Sequence, residues 1–256
     1  MASDPIAQPS TKPNQKLIMR KFTLPLGLTL GLALCPNLPA QTHLTNAENL
    51  VLDLVQSSQT AALWPNVYGL PEYINWNGPH STAKTECSSF ATLLLEYSYG
   101  WTATNFVNWM GHASPDAAIY HDTIAAQKGF KQILTVDQIH PGDFLAIVYY
   151  PEYQSPSGHV MLVQDLPQPN NTKPLIAGTT QWTIPVIDSS SSYHGTNDTR
   201  YHHPGGIGYG TFRLYAKPDG TVAGYTWSLL STSTTNYVPQ ATSTNHGNHL
   251  VIGRLN

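Results

Sequence analysis

Hydrophobic residues change their rhythm once along this chain. In the first half they recur at helical spacing, and in the second they gather into short runs of Val, Ile, Tyr and Phe. Thr45-Asn46-Ala47-Glu48 reads as a capping box ahead of Leu50, Val51, Leu54 and Val55, which predicts a helix to about Ser57. Phe90, Leu93, Leu94 and Tyr97 stand at i, i+3, i+4 and i+7 before Gly100, so ECSSFATLLLEYSYG predicts a second helix with Cys87 at its first turn. Ser114-Pro115-Asp116 offers an N-cap, a first-turn proline and an acid, and a further helix is expected from there toward Gly129. With the piece from Phe106 to Met110 it makes a helical insert over about 101–129. Trp64 to Thr85 is rich in Pro, Gly, Asn and aromatics without a period, and is expected to be a loop.

Phe144 to Tyr150, His159 to Gln164, Trp182 to Asp188, Tyr209 to Tyr215, Val222 to Ser228 and His249 to Leu255 read as strands. Helices first and strands afterwards predict an α+β domain with a mostly antiparallel sheet, in place of alternating βαβ units. The Ser/Thr/Asn-rich stretch Ser231 to Gly247 is expected to be an exposed loop. With no internal repeat and no long linker, residues 41–256 are expected to form one domain.

The N-terminus has a different character. Arg20 and Lys21 precede a Leu/Gly-rich run that ends in Pro36 and Pro39, the layout of a secretory signal peptide. Cleavage is expected after Ala40, with Met19 as the start and residues 1–18 upstream of it. The run is shorter than the roughly 20 residues of a spanning helix, and no later stretch replaces it, so no membrane span is expected. Leu32-Ala33-Leu34-Cys35 offers a lipoprotein alternative, which the bulky Leu34 disfavours. The expected location is therefore secreted or periplasmic.

Composition narrows the function classes. Hydrophobic residues make up 41% and charged residues 11%, enough for a core beneath a polar, uncharged surface. A formal charge of -3 excludes a polybasic nucleic-acid binder. Loss of residues 1–40 would also remove Cys35, leaving Cys87 as the single cysteine in an oxidising compartment, where no internal disulfide is then possible.

A thiol at a helix N-terminus feels the positive end of the helix dipole, which favours the nucleophilic thiolate. The backbone N–H groups around Ser88 could also stabilise the oxyanion of a tetrahedral intermediate. Such a nucleophile needs an imidazole, and the imidazole needs a polar partner. His159 opens a strand directly after Pro156-Ser157-Gly158, and Asp188 closes the next strong strand, TIPVID. Trp76 and its aromatic neighbours are candidates to line a binding groove or to cover the core. After Asp188 the run SSSSYHGTNDTRYHHPGGIGYG allows two readings. In one it folds over the cleft, His194 touches substrate, and Asp198 pairs with Arg200 to brace Asp188. In the other it binds metal, yet its spacing matches no zinc pattern, so neither a metal nor a cofactor is expected.

These residues resemble a known family. TECSSF is similar to the Asp-Cys-Ser-x-Phe start of the cysteine helix in NlpC-type cysteine peptidases, a papain-like group that includes the CHAP amidases. IHPGDFLAIVYY and SGHVMLV resemble its Gly-Asp strand and the His-Val strand that follows, and Tyr73-Ile74-Asn75-Trp76-Asn77-Gly78 resembles its Tyr-x-x-Gly-Gly loop. The resemblance implies a papain-like fold, Cys87 as nucleophile, His159 as general base, Asp188 as its orienting residue and Tyr73 beside the oxyanion. It also implies a peptidoglycan or peptide substrate, cleaved at a stem-peptide bond or at the sugar-to-peptide amide. Glu86 and Ser89 depart from the family's Asp and Gly, the insert lengthens the Cys-to-His gap, and Asp188 follows His159 later than the family's third residue does. A transglutaminase-like enzyme or other acyltransferase shares the Cys, His, Asp order, and a noncatalytic binding domain on the same scaffold is the reading from another class.

Overall fold

Residues 41–60, 64–77, 79–151, 155–241 and 247–256 are described by the computed structural model. The expected signal peptide, with Met19, Cys35 and the cleavage position at Ala40, lies outside them, as does Gly78. Among the described residues four helices are present: α1 (Thr42–Thr60), α2 (Cys87–Tyr99), α3 (Ala103–Met110) and α4 (Ala117–Ala125). None is long and apolar enough to cross a membrane.

Helix α1 starts before the expected capping box. The Leu44 and Thr45 amides both donate to Gln41 O, at 3.0 and 3.3 Å, so Thr45 is already inside the helix. Glu48 is then free to take a tertiary partner, and accepts a hydrogen bond from Gln164 Nε2 at 3.0 Å. In α2 the inward stripe is Phe90, Ala91, Leu94 and Leu95, rotated by one residue from the expected one, and Tyr97 is exposed. Gly100 closes this helix in the left-handed region, φ 66°, with its amide on Glu96 O. Helix α4 is capped by Asp116, whose Oδ1 accepts from the Ile119 amide at 3.0 Å; the N-cap expected at Ser114 lies two residues too early.

The stretch expected to be a loop holds three short strands, β1 (Asn66–Tyr68), β2 (Tyr73–Asn75) and β3 (Thr82–Thr85), in the order β1-β3-β2. The second half supplies β4 (Phe130–Ile133), β5 (Phe144–Val148), β6 (Gly158–Val163), β7 (Gln168–Asn170), β8 (Thr180–Ser190), β9 (Gly206–Ala216), β10 (Val222–Thr226), β11 (Val238–Pro239) and β12 (His249–Leu255). They form one sheet in the order β11-β10-β9-β8-β6-β5-β12-β4, with β7 paired to β8, and its ladders are antiparallel. The molecule is thus α+β with a mostly antiparallel sheet.

Alternation along β5 shows how the sheet is filled. Phe144 and Ala146 join one apolar cluster with α1, α2 and α4, whereas Leu145 and Ile147 join a second with Met161, Val186, Phe212 and Ile252. Among the described residues no α-helix contributes to the second cluster. Instead the sheet curls until its ends approach: Thr135, just past β4, bridges to Thr221, just before β10, and the Val136 amide donates to Gly220 O at 3.0 Å.

Two contacts fix where α2 begins. Thr85 pairs with Tyr68 on β1, and its hydroxyl donates to Ser189 Oγ at 2.9 Å while Ser189 Oγ donates to Thr85 O at 2.8 Å. The start of α2 is therefore pinned to the end of β8, one residue from Asp188.

Candidate active site

Cys87 is the first residue of α2. Glu86 before it is extended, and its amide donates to Ser89 Oγ at 2.9 Å, so the chain turns into the helix at the cysteine. A helix leaves its first N–H groups without partners four residues back, and here these belong to Cys87 and Ser88. Cys87 is 6% exposed.

His159 reaches it from β6. Gly158 is forced at the preceding position, because a Cβ there would run into the Ile147 carbonyl of β5. The β6–β8 ladder pairs Val163 with Val186 and Leu162 with Ile187, and ends there. Asp188 and His159 lie just beyond, on one face by the alternation of side chains, as diagonal neighbours. His159 Nε2 is 2.6 Å from Asp188 Oδ2. That leaves Nδ1 as the ring nitrogen available to Cys87, which acts on the imidazole through its charge and as a hydrogen-bond partner. Burial alone would lower the proton affinity of His159. The negative charge of Cys87, the hydrogen bonds from Asp188 and Cys87, and the charge of Asp188 outweigh it and push the pKa up to about 9.

Behind Asp188 stands a buried network drawn from the loop between β8 and β9. Arg200 grips Asp198 with two parallel bonds, Nε to Oδ1 at 2.9 Å and Nη2 to Oδ2 at 2.8 Å. Its Nη1 donates to the carbonyls of Asp188 and Gly206 at 3.1 and 3.2 Å. The same Nη1 lies 2.8 Å from Asp188 Oδ1, as an ion contact whose N–H groups aim elsewhere. Burial would raise the Asp188 carboxyl, but Arg200, His194 and the hydrogen bonds from both histidines hold it well below the usual carboxylate range. Gly208 and Gly210 of β9 make room for this network. A Cβ on Gly208 would sit 2.8 Å from Arg200 Nε, and one on Gly210 would sit 2.5 Å from His194 Cδ2.

The chain is 32% identical over 196 residues to "Uncharacterized protein R653" of Acanthamoeba polyphaga mimivirus, an alignment covering 70% of this chain and 83% of the viral protein. It belongs to the same family as R653. No protein-family profile and no solved structure matches it.

Of the residues singled out in the sequence, Cys87, His159, Asp188, Asp198 and Arg200 are brought together, and Ser88 follows the thiol in the first helical turn. Three others differ in place. His194 is fully buried on the far side of Asp188, with Nε2 3.1 Å from Asp188 Oδ2 and Nδ1 2.8 Å from Trp227 O, so it faces the carboxylate and no substrate. Trp76 stacks on Tyr97 with ring centroids 4.0 Å apart. Tyr97 is ten residues along α2 from Cys87, about 15 Å at the helical rise, so Trp76 packs against the helix body. Tyr73 is 48% exposed on β2, paired with Lys84 on the outer side of β3.

The phenol near the thiol is Tyr68, paired with Thr85 on the inner side. Burial, and then the negative charges of Cys87, Glu86 and Asp188, push its pKa up to about 12. Tyr149 is also raised, by burial first and then by Tyr225, Cys87, Tyr68 and Asp188. Trp227 is a further residue that sequence reasoning missed. Its indole meets the His159 ring edge-on at 4.7 Å and overlies His194 at 4.3 Å, covering the Asp188 hydrogen bonds. Tyr68 lies in the aromatic-rich stretch before the cysteine, which is its only signal in the sequence, and nothing local marks Trp227.

His159, Asp188 and His194 offer ligand-type atoms within 4.8 Å of one another. Their arrangement does not fit an ion. Donors held tetrahedrally at roughly 2.0–2.2 Å from zinc stand more than about 3 Å apart, whereas His159 Nε2 and Asp188 Oδ2 are 2.6 Å apart, and the Arg200 cation occupies the other carboxylate oxygen. The three side chains form a hydrogen-bonded array.

Proposed function

We propose that this protein is a thiol-dependent amide hydrolase with a papain-like, NlpC-type architecture, and that its substrate is a peptidoglycan stem-peptide bond or sugar-to-peptide amide. The observation that carries the reading is the Cys87–His159–Asp188 chain of contacts at the N-terminus of α2. A helix start supplies the dipole and the free amides, the imidazole supplies the proton, and the carboxylate fixes the ring with Nε2–H on Asp188 and Nδ1 toward sulfur. The curled antiparallel sheet with the cysteine helix packed on it supports the architecture, and the sequence resemblance supports the substrate class.

In this reading the Cys87 thiolate attacks the carbonyl carbon, and the Cys87 and Ser88 amides face the developing oxyanion, with the Tyr68 hydroxyl nearby. The His159 proton passes from Nδ1 to the departing amine as the C–N bond breaks, leaving a thioester on Cys87. Water then gives a proton to Nδ1 and attacks the thioester, which releases the acid and restores the thiolate–imidazolium pair. Digestion of purified peptidoglycan by the wild type and by Cys87→Ala, followed by mass spectrometry of the fragments, tests this. New amine and carboxylate ends that need Cys87 support it. Identical products from both proteins, or intact peptidoglycan beside an alkylable thiol, would move the function to another substrate or to a binding role.

A further inference from the structure

The loop that carries Arg200 also carries His194, and the partners of that imidazole are unusual. Its Nδ1 is 2.8 Å from Trp227 O, a carbonyl, which can only accept. Its Nε2 is 3.1 Å from Asp188 Oδ2, and Asp188 is held as a carboxylate, which can also only accept. Two acceptors on two ring nitrogens require a hydrogen on each. A charge count leads to the same place. With the Cys87 thiolate and the His159 imidazolium of the catalytic reading offsetting each other, the buried Asp188, Asp198 and Arg200 carry two negative charges against one positive. Leaving one buried charge uncompensated is costly, and a cationic His194 is the group that closes the balance.

We propose that His194 is a positioning residue for the Cys87–His159 pair, present as an imidazolium whose charge divides the pull of Asp188 between two imidazoles. This rests on the catalytic reading above. His159 and His194 bond the same Asp188 Oδ2, at 2.6 and 3.1 Å, with the bonded nitrogens within 4.8 Å of each other. A cation at that distance repels a proton on His159 and attracts the negative charge of Cys87. His194 thus sets the pH range in which thiolate and imidazolium coexist. The charged and titratable groups facing it are Asp188 on β8, Asp198 and Arg200 on its own loop and, across Asp188, His159 on β6. Phe212 of β9 and Trp227 after β10 contribute uncharged aromatic rings, and Trp227 its carbonyl.

The direction of one shift separates this role from a merely structural one. In His194→Gln a neutral amide can still donate to Asp188, but the cation is gone. The rate of Cys87 alkylation by iodoacetamide, followed from pH 4 to 10, should then show both limbs displaced to higher pH by about one unit or more. If His194 only holds Asp188 in place, its loss loosens the Asp188–His159 bond and the upper limb moves to lower pH. Side-chain ¹⁵N spectra of the wild type, with His194 assigned by its loss in the variant, supply the second measurement. At pH 8 both nitrogens of His194 should carry hydrogen. A single protonated nitrogen, an unmoved profile or a downward shift would overturn the proposal. Neither measurement uses a substrate, so failure to cleave peptidoglycan would count against the catalytic reading alone. The spectra also decide the matter if His194→Gln does not fold, with His194 then assigned by its contacts to Trp227.

Discussion

Arg200→Met should be among the most damaging single substitutions in this protein. The arginine is 1% exposed and serves both Asp198 oxygens, two backbone carbonyls and the Asp188 carboxylate. Methionine fills much of the same space without the charge, so Asp188 and Asp198 are left facing each other with His194 between them. Removing one member of a buried ion pair costs about 3–5 kcal/mol, and a chain of this size loses about 2–4 °C of Tm per kcal/mol, which gives a fall of roughly 6–20 °C. The sign with pH follows from Asp188. Its carboxyl is depressed, so its stabilisation is present above the ordinary carboxylate value near 3.9 and is lost only as the pH falls well below it. Without Arg200, the leading charge holding it down, that loss begins at higher pH. Urea unfolding followed by tryptophan fluorescence, at pH 7 and at pH 4, measures both effects, with the exposed Lys131→Met as a control expected within about 0.5 kcal/mol of wild type. Stability of Arg200→Met within about 1 kcal/mol of wild type, with an unchanged acid limb, would refute the reasoning.

Three further outcomes are expected. The His159 imidazole is raised to about 9, so its contribution to stability is complete below about 6.5 and disappears as the pH rises through 9; His159→Gln should show no such decline, and Cys87→Ala should lower the His159 titration midpoint seen by NMR. Tyr68→Phe should slow peptidoglycan cleavage about 100-fold if its hydroxyl meets the oxyanion, whereas Tyr73→Phe should change it less than about twofold, as judged by kcat. Gly210→Ala should destabilise by about 1–3 kcal/mol in urea, because the new Cβ collides with the His194 ring.

What the sequence made legible was what local chemistry controls. Cys87 at a helix start, His159 after a Pro-Ser-Gly turn and Asp188 at the close of TIPVID each carry their signal within a few residues. The run from β8 to β9 displayed Asp198 and Arg200 in a segment too dense in charge to be idle. Placement across the fold was less readable. His194 is polar and lies in a glycine-rich loop, which reads as exposed, yet it is buried because Gly210 yields space and Asp188 and Trp227 supply its partners. Tyr73 is singled out by the resemblance of its loop, and only strand pairing, Tyr68 to Thr85 against Tyr73 to Lys84, decides which phenol lies inside. The helical stripe of α2 was off by one residue because Tyr97 spends its apolar surface on Trp76 and not on the core.

The pin between Thr85 and Ser189 joins positions 104 residues apart, and the Asp188 array is capped by Trp227, later still. A ribosome therefore releases the cysteine long before anything that could activate it. Under the proposed mechanism Cys87 becomes a distinct reagent only when β8, the Arg200 loop and the residue after β10 have arrived and closed. Chemical competence is on that proposal a late event in the life of the chain, and a fragment that stops before Trp227 would carry the thiol in a silent form.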